Sequence, residues 1–266
     1  MTRWVAFAAL TLLVVTVVLF SARASERVVD EIAAERTSHT DSILHAETLP
    51  DGADHLDAAR PIETRTPADP SLSSTALLVH VGASHALFAV VLLVGLWLAN
   101  VPVSTLGIGV EPFTGAVAVV AGIVVGLALA FVNTLVGSLV ESDPSAKLRK
   151  LLAPDSLGGW AVLLLVVLPI IAGFEELLFR SILIGTFSSG FGISPWILAV
   201  GSSMLFAAGH GAQGRIGIVA TGVLGFVLAA VFVVTNSFLV VFFAHYVVNV
   251  VEFVVVEGFE YEPLRR

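Results

Sequence analysis

The sequence predicts an all-α protein, a polytopic transmembrane helical bundle of about seven (six to eight) membrane helices. Three observations predict it. Of the 266 residues, 57% are hydrophobic and only 13% charged, whereas a soluble domain is about half apolar and about a quarter charged. Mean hydropathy is +0.97. The apolar residues also gather in continuous runs, near 4–20, 76–99, 113–140, 160–184, 194–209, 216–235 and 237–256, against the roughly 17–25 residues that a membrane-crossing helix needs. Only helices and closed barrels satisfy their backbone in lipid. Barrel strands alternate apolar and polar residues, and these runs do not.

The first run, WVAFAALTLLVVTVVLF, follows Met-Thr-Arg and makes residues 1–20 an N-terminal transmembrane anchor. Ala22-Arg23-Ala24 resembles a small-x-small cleavage site, so a signal peptide is the competing reading. Seventeen residues is long for a signal core, which favours the anchor. Residues 21–71 form an acidic polar linker with eleven acidic residues and five arginines, broken by Pro50, Pro61, Pro67 and Pro70. Such a segment has too little apolar surface to offset the entropy of ordering. His39, His45 and His55 within it read as solvated loop residues.

Residues 72–266 form the transmembrane bundle. Its shortest run is 194–209. Two connections interrupt it, NVPVSTLGIGVEP (100–112) and ESDPSAKLRKLLAPDSLG (141–158). The second gathers Lys147, Arg149 and Lys150, and the chain ends in Arg265-Arg266. The positive-inside rule places both in the cytoplasm. In the fourth run, Pro169 predicts a kink and a bend near Gly173 with room for water. His80, His85, Asn133 and Thr134 read as hydrogen-bonding groups of the bundle interior.

Charge and cysteine usage exclude several functions. A formal net charge of −8 and the lack of a basic patch exclude nucleic-acid binding. There is no cysteine, which excludes disulfides, a thiolate nucleophile and Cys-ligated metal. Acidic residues number 21 while lysine occurs only at Lys147 and Lys150. That balance, with the apolar runs, points to an integral protein of a prokaryotic cell membrane in a salt-loving host, with the lipid bilayer as its first partner.

Ionisable side chains inside transmembrane helices are functional candidates by default. Here they cluster late. Glu175, Glu176 and Arg180 lie in the fourth run, His210 closes the fifth, and His245 and Asn249 lie in the seventh. Glu176 and Arg180 are spaced i,i+4 with the acid first, the favourable order. Arg180 is therefore the partner that holds Glu176 charged. Glu175 lies about 100° round the helix and is left to find a partner on another helix. His245 and Asn249 share one face. Together, Glu175, His210, His245 and Asn249 suit hydrolysis: a carboxylate base for water, histidines to orient it, an amide for the oxyanion. A zinc ion held by Glu175, His210 and His245 would activate water as well. The residues alone also allow a proton-coupled transporter or simple interhelical hydrogen bonding.

Three motifs carry a resemblance. Glu175-Glu176-Leu-Leu-Phe-Arg180 resembles the EExxxR motif of the CPBP family, the CAAX proteases and bacteriocin-processing enzymes also called Abi. Phe206-Ala-Ala-Gly-His210 is similar to its FxxxH motif, and His245-Tyr-Val-Val-Asn249 to its HxxxN motif. They occur in the family's order within residues 160–256. The resemblance implies an intramembrane endopeptidase acting on a membrane-associated peptide or protein. Glu175 would activate water, His210 and His245 would assist, Asn249 would stabilise the oxyanion, and Glu176 and Arg180 would support the site. It implies either a metal-free glutamate protease, the reading Asn249 favours, or a zinc metalloendopeptidase. A non-proteolytic membrane scaffold and a transporter are the alternatives.

Overall fold

The computed structural model describes residues 2–24, 74–109, 112–137, 149, 152–154 and 156–258. Seven helices are described, with no strand among the described residues: α1 (Trp4–Ala24), α2 (Ser74–Leu98), α3 (Gly115–Gly137), α4 (Leu157–Phe191), α5 (Pro195–Ala208), α6 (Gly214–Thr235) and α7 (Phe238–Val255). All but α5 are long and apolar enough to cross a membrane, so the chain is an integral membrane protein. The expected 21–71 linker, except its first residues, and Lys147, Lys150, Arg265 and Arg266 lie outside the described residues.

Two elements differ from the sequence reading. The run at 194–209 yields a helix of only 14 residues, about 21 Å at 1.5 Å per residue, short of a hydrocarbon core of about 30 Å. Pro195 fixes its start, and Gly209 leads out of it at His210. Conversely, α4 runs for 35 residues, well beyond 160–184. Its start is capped by Ser156, whose hydroxyl accepts from Gly159 N at 3.1 Å, and its end by Gly192 in the left-handed region at φ 67°. Within it, two wide π-helical stretches, Leu163–Val167 and Leu177–Thr186, flank the α-helical Leu168–Glu176. Pro169 lacks an amide hydrogen and its ring crowds the preceding turn. The widened turn just before it lets the helix continue through Pro169.

Helix α4 is the hub. The first half of α4 meets α2 and α7, and its second half meets α5 and α6. Phe7, Val14 and Val15 of α1 join a core with Leu92 and Leu96 of α2, Phe174 and Leu178 of α4, and Phe206 of α5. Helix α3 packs chiefly on α7. Gly122 and Gly126 make that contact close: a Cβ on Gly122 would lie 2.7 Å from Val240 O, and one on Gly126 2.7 Å from Ala244 O. This is the small-xxx-small seat of membrane helices, and it fixes α7 at the residue before His245.

The burial pattern is inside-out. Large apolar side chains such as Trp97, Phe131 and Leu165 face outward, while Glu176, Arg180, Ser181 and His245 are buried. Polar groups inside a membrane bundle gather on its interior. Some groups assigned to that interior lie elsewhere. His80, Asn133 and Thr134 are exposed. Thr134 Oγ1 donates to Ala130 O of its own helix at 2.9 Å, and half-buried His85 bonds Val81 O of its own turn. A Thr hydroxyl or His ring nitrogen reaches a carbonyl one turn back, so it needs no second helix.

Candidate active site

Glu175 and Glu176 are consecutive on α4 and so point in different directions. Glu176 faces fully inward. Its Oε1 accepts from Arg180 Nη1 at 2.8 Å, and Arg180 Nη2 donates to Gly225 O of α6 at 3.0 Å. Neither side chain of this i,i+4 pair is more than 1% exposed. The Arg180 Cζ also lies 4.7 Å from the centre of the Phe206 ring, a cation–π contact strengthened by its dry surroundings. Burying such a pair is costly unless geometry and extra hydrogen bonds repay the desolvation. Two of its atoms, Glu176 Oε2 and Arg180 Nε, have no hydrogen-bond partner among the described residues. Arg180 thus pairs with Glu176 as its spacing predicts.

A second donor to Glu176, which spacing along one helix does not reveal, comes from α7. His245 Nδ1 lies 2.6 Å from Glu176 Oε1. Because that carboxylate is charge-paired with Arg180, it is an acceptor, and Nδ1 carries the hydrogen. The other ring nitrogen, Nε2, then faces Glu175 Oε2 at 3.5 Å. His245 therefore spans the two glutamates, anchored by one and turned toward the other.

His210 repeats the arrangement from a different helix end. It follows α5 in a turn, and its Nδ1 donates to Phe206 O at 2.8 Å. A carbonyl can only accept, which fixes the tautomer. Its Nε2 lies 4.0 Å from Glu175 Oε1. Each carboxylate oxygen of Glu175 thus faces one histidine Nε2, the nitrogen that carries the lone pair when the ring is neutral. Glu175 is 12% exposed and His210 24%, so the group is open on the His210 side and sealed on the Glu176 side.

Phe206 ties these parts together. Its ring centre is 4.5 Å from that of His210, 6.0 Å from His245 and 5.1 Å from Phe179. Gly209, at the end of α5, leaves room for a close neighbour. Its nearest neighbour from another helix is the Leu19 side chain of α1, 3.8 Å from where a Cβ would sit. Asn249 follows His245 by one turn on α7 and is half-buried. The nitrogens of His210 and His245 are the kind that bind zinc, with their Nδ1 atoms held from behind. As the side chains stand, no three His, Cys, Asp or Glu among the described residues form a metal-holding group.

A cavity of about 290 Å³ lies elsewhere, lined by Ser104, Thr105, Gly185, Ser188, Ser189 and Asn236 among others. Sequence reading singled out none of these residues, and none belongs to the glutamate–histidine group. Gly225 and Tyr246 were missed as well. Gly225 gives no sign in the sequence, whereas Tyr246 sits inside HYVVN, next to His245.

Residues 157–251 match a family model, that of the type II CAAX prenyl endopeptidase Rce1-like proteins. The matched segment runs from the start of α4 nearly to the end of α7 and holds all three motifs. No curated protein and no solved structure matches the chain.

Proposed function

We propose, from the match of residues 157–251 to the Rce1-like type II CAAX prenyl endopeptidase model, that the protein is an intramembrane endopeptidase that hydrolyses a peptide bond of a membrane-associated protein or peptide with water activated by Glu175. The observation that carries this reading is the pair of histidine Nε2 atoms on the two oxygens of Glu175, at 3.5 and 4.0 Å. A carboxylate facing two lone pairs is stable when protons lie between them, and a water molecule supplies two. One water hydrogen points to Glu175 and the other to a histidine Nε2, so the water oxygen turns its own lone pair to the substrate carbonyl.

Glu175 takes a proton as that oxygen adds to the carbonyl carbon. The tetrahedral oxyanion accepts from the Asn249 amide. Collapse breaks the C–N bond, and the proton returns from Glu175, directly or over His245 Nε2, to the leaving amine. Glu176, Arg180 and Phe206 touch no reacting atom in this scheme. They hold His245 and His210 in the tautomers that leave Nε2 free to accept. The scheme uses the side chains alone; zinc held by Glu175, His210 and His245 is the alternative that the chelator titration below separates from it.

Purified protein, Glu175→Ala and His245→Ala are compared for cleavage of membrane-inserted peptides, by mass spectrometry of the products. Wild type alone should turn over, and equal turnover in all three ends the reading. Titration with a chelator decides the metal question: activity that survives metal removal supports glutamate catalysis, and activity restored only by zinc overturns it.

A further inference from the structure

The wide turn before Pro169 leaves one backbone group to account for. In that turn Leu168 N donates to Leu163 O, five residues back. The next amide in the same register would be that of residue 169, donating to Leu164 O. Residue 169 is proline and has no amide hydrogen. Leu164 O is therefore the acceptor that the helix itself leaves empty, in a membrane interior where water does not supply a donor.

A donor arrives from α7. Tyr246 Oη donates to Leu164 O at 3.0 Å, across 82 residues of sequence. Its ring is stacked on Phe242 one turn earlier, at 6.3 Å and 7° between planes, and Phe242 in turn lies against Gly173, with a ring carbon 3.6 Å from where a Cβ would sit. The hydroxyl thus reaches α4 from a ring that packing already holds. Tyr246 is the residue after His245, and three residues before Asn249.

We infer that Tyr246 is a positioning residue that uses the carbonyl freed by Pro169 to set the register of α7 against α4, and so the distance from His245 to Glu175. The two residues form one device. Proline creates the vacancy in the ladder, and the tyrosine turns it into a tie between the helix bearing the glutamates and the helix bearing His245 and Asn249. Neither residue touches the substrate. An ordinary α-helical turn at this place would use up its carbonyl and offer α7 nothing to hold.

The device makes a prediction about non-additivity. Tyr246→Phe removes only the hydroxyl and keeps the stacked ring. Pro169→Ala restores an amide hydrogen: in the π register it donates to Leu164 O, and in the α register it donates to Leu165 O while the Leu168 amide moves to Leu164 O, so Leu164 O gains a backbone partner in both. Tyr246→Phe should therefore lower the melting temperature of the detergent-solubilised protein in the wild-type background and leave it unchanged in the Pro169→Ala background. The kinetic arm rests on the endopeptidase reading. There, Tyr246→Phe should lower kcat about tenfold with KM unchanged, as expected for a small misplacement of catalytic groups, and the same substitution should have no effect on kcat in the Pro169→Ala background. Equal, additive losses of melting temperature in both backgrounds overturn the tie. A thermal coupling with an unchanged kcat shows a structural bond that does not position the site, and it overturns the positioning role. Absence of any cleavage by wild type counts against the endopeptidase reading, while the thermal cycle still decides the tie.

Discussion

Gly225→Ala tests how tightly the buried ion pair is enclosed. A Cβ at Gly225 would stand 2.9 Å from Phe206 Cδ1, about 0.5 Å inside the 3.4 Å at which ordinary contact begins. Phe206 has little room to yield, being 2% exposed and enclosed by Phe179, His210, His245 and Arg180. Helix α6 would then back away by a similar amount. The Arg180 Nη2 to Gly225 O bond, now 3.0 Å, would stretch to about 3.5 Å, where a hydrogen bond is lost. Losing a hydrogen bond to a buried charged group costs about 1.5–3 kcal/mol. Replacing a helical glycine by alanine returns up to about 1 kcal/mol. The net expectation is a loss of about 1–2 kcal/mol. Gly201→Ala is the control: a Cβ there meets nothing within 4 Å, so only the favourable helical contribution remains. Reversible unfolding of both variants in mixed micelles measures the difference. If Gly225→Ala is as stable as Gly201→Ala, the enclosure of Arg180 has been misjudged.

Three further outcomes follow from the same geometry. Arg180→Ala strands Glu176 and should reduce the yield of folded protein, by about 3–5 kcal/mol of stability; a variant that folds normally and loses only cleavage would show that Arg180 is not structural. Asn249→Ala should fold as wild type and lower kcat by about 10²–10³-fold, the usual consequence of removing one oxyanion donor, while unchanged turnover would remove Asn249 from the mechanism. Gly126→Val places branched carbons where a single Cβ already lies 2.7 Å from Ala244 O, so α3 should part from α7. Because the chain lacks cysteine, an introduced cysteine pair across the two helices reads this directly: crosslinking should fall sharply, and crosslinking at the wild-type level would contradict the close seat.

What the sequence disclosed divides along physical lines. The helices were legible because lipid demands long apolar runs, and the Glu176–Arg180 pair because i,i+4 spacing puts both side chains on one face whatever surrounds the helix. The end of α5 was less legible. Apolarity continues past the point where Gly209 and the turn at His210 stop the helix, so composition overstated its span. The length of α4 was hidden for the opposite reason, since a helix can continue through proline by widening a turn, and an apolar run carries no mark of that register. His245 could be placed near the glutamates by motif alone. Its attachment to Glu176 rather than Glu175 depends on where α3 seats α7, and Gly122 and Gly126 fix that through contacts distant in sequence. Thr134 and His85 show a further limit: a polar side chain in an apolar run signals a hydrogen bond but does not say whether its partner lies on the same helix.

The location of the ion pair within one helix bears on how the protein enters the membrane. Glu176 and Arg180 are four residues apart on α4 and meet at 2.8 Å, so their charges cancel as soon as that helix forms, before any other helix arrives. Their remaining partners, Gly225 on α6 and His245 on α7, are synthesised later. Glu175 has no such companion on α4; both of its histidines lie further along the chain. During biogenesis α4 therefore crosses into lipid with one acidic residue already balanced and the other waiting, and the arrival of α5 and α7 beside Glu175 completes the site and ends the helix's exposure of an unaccompanied carboxyl group in a single step of assembly.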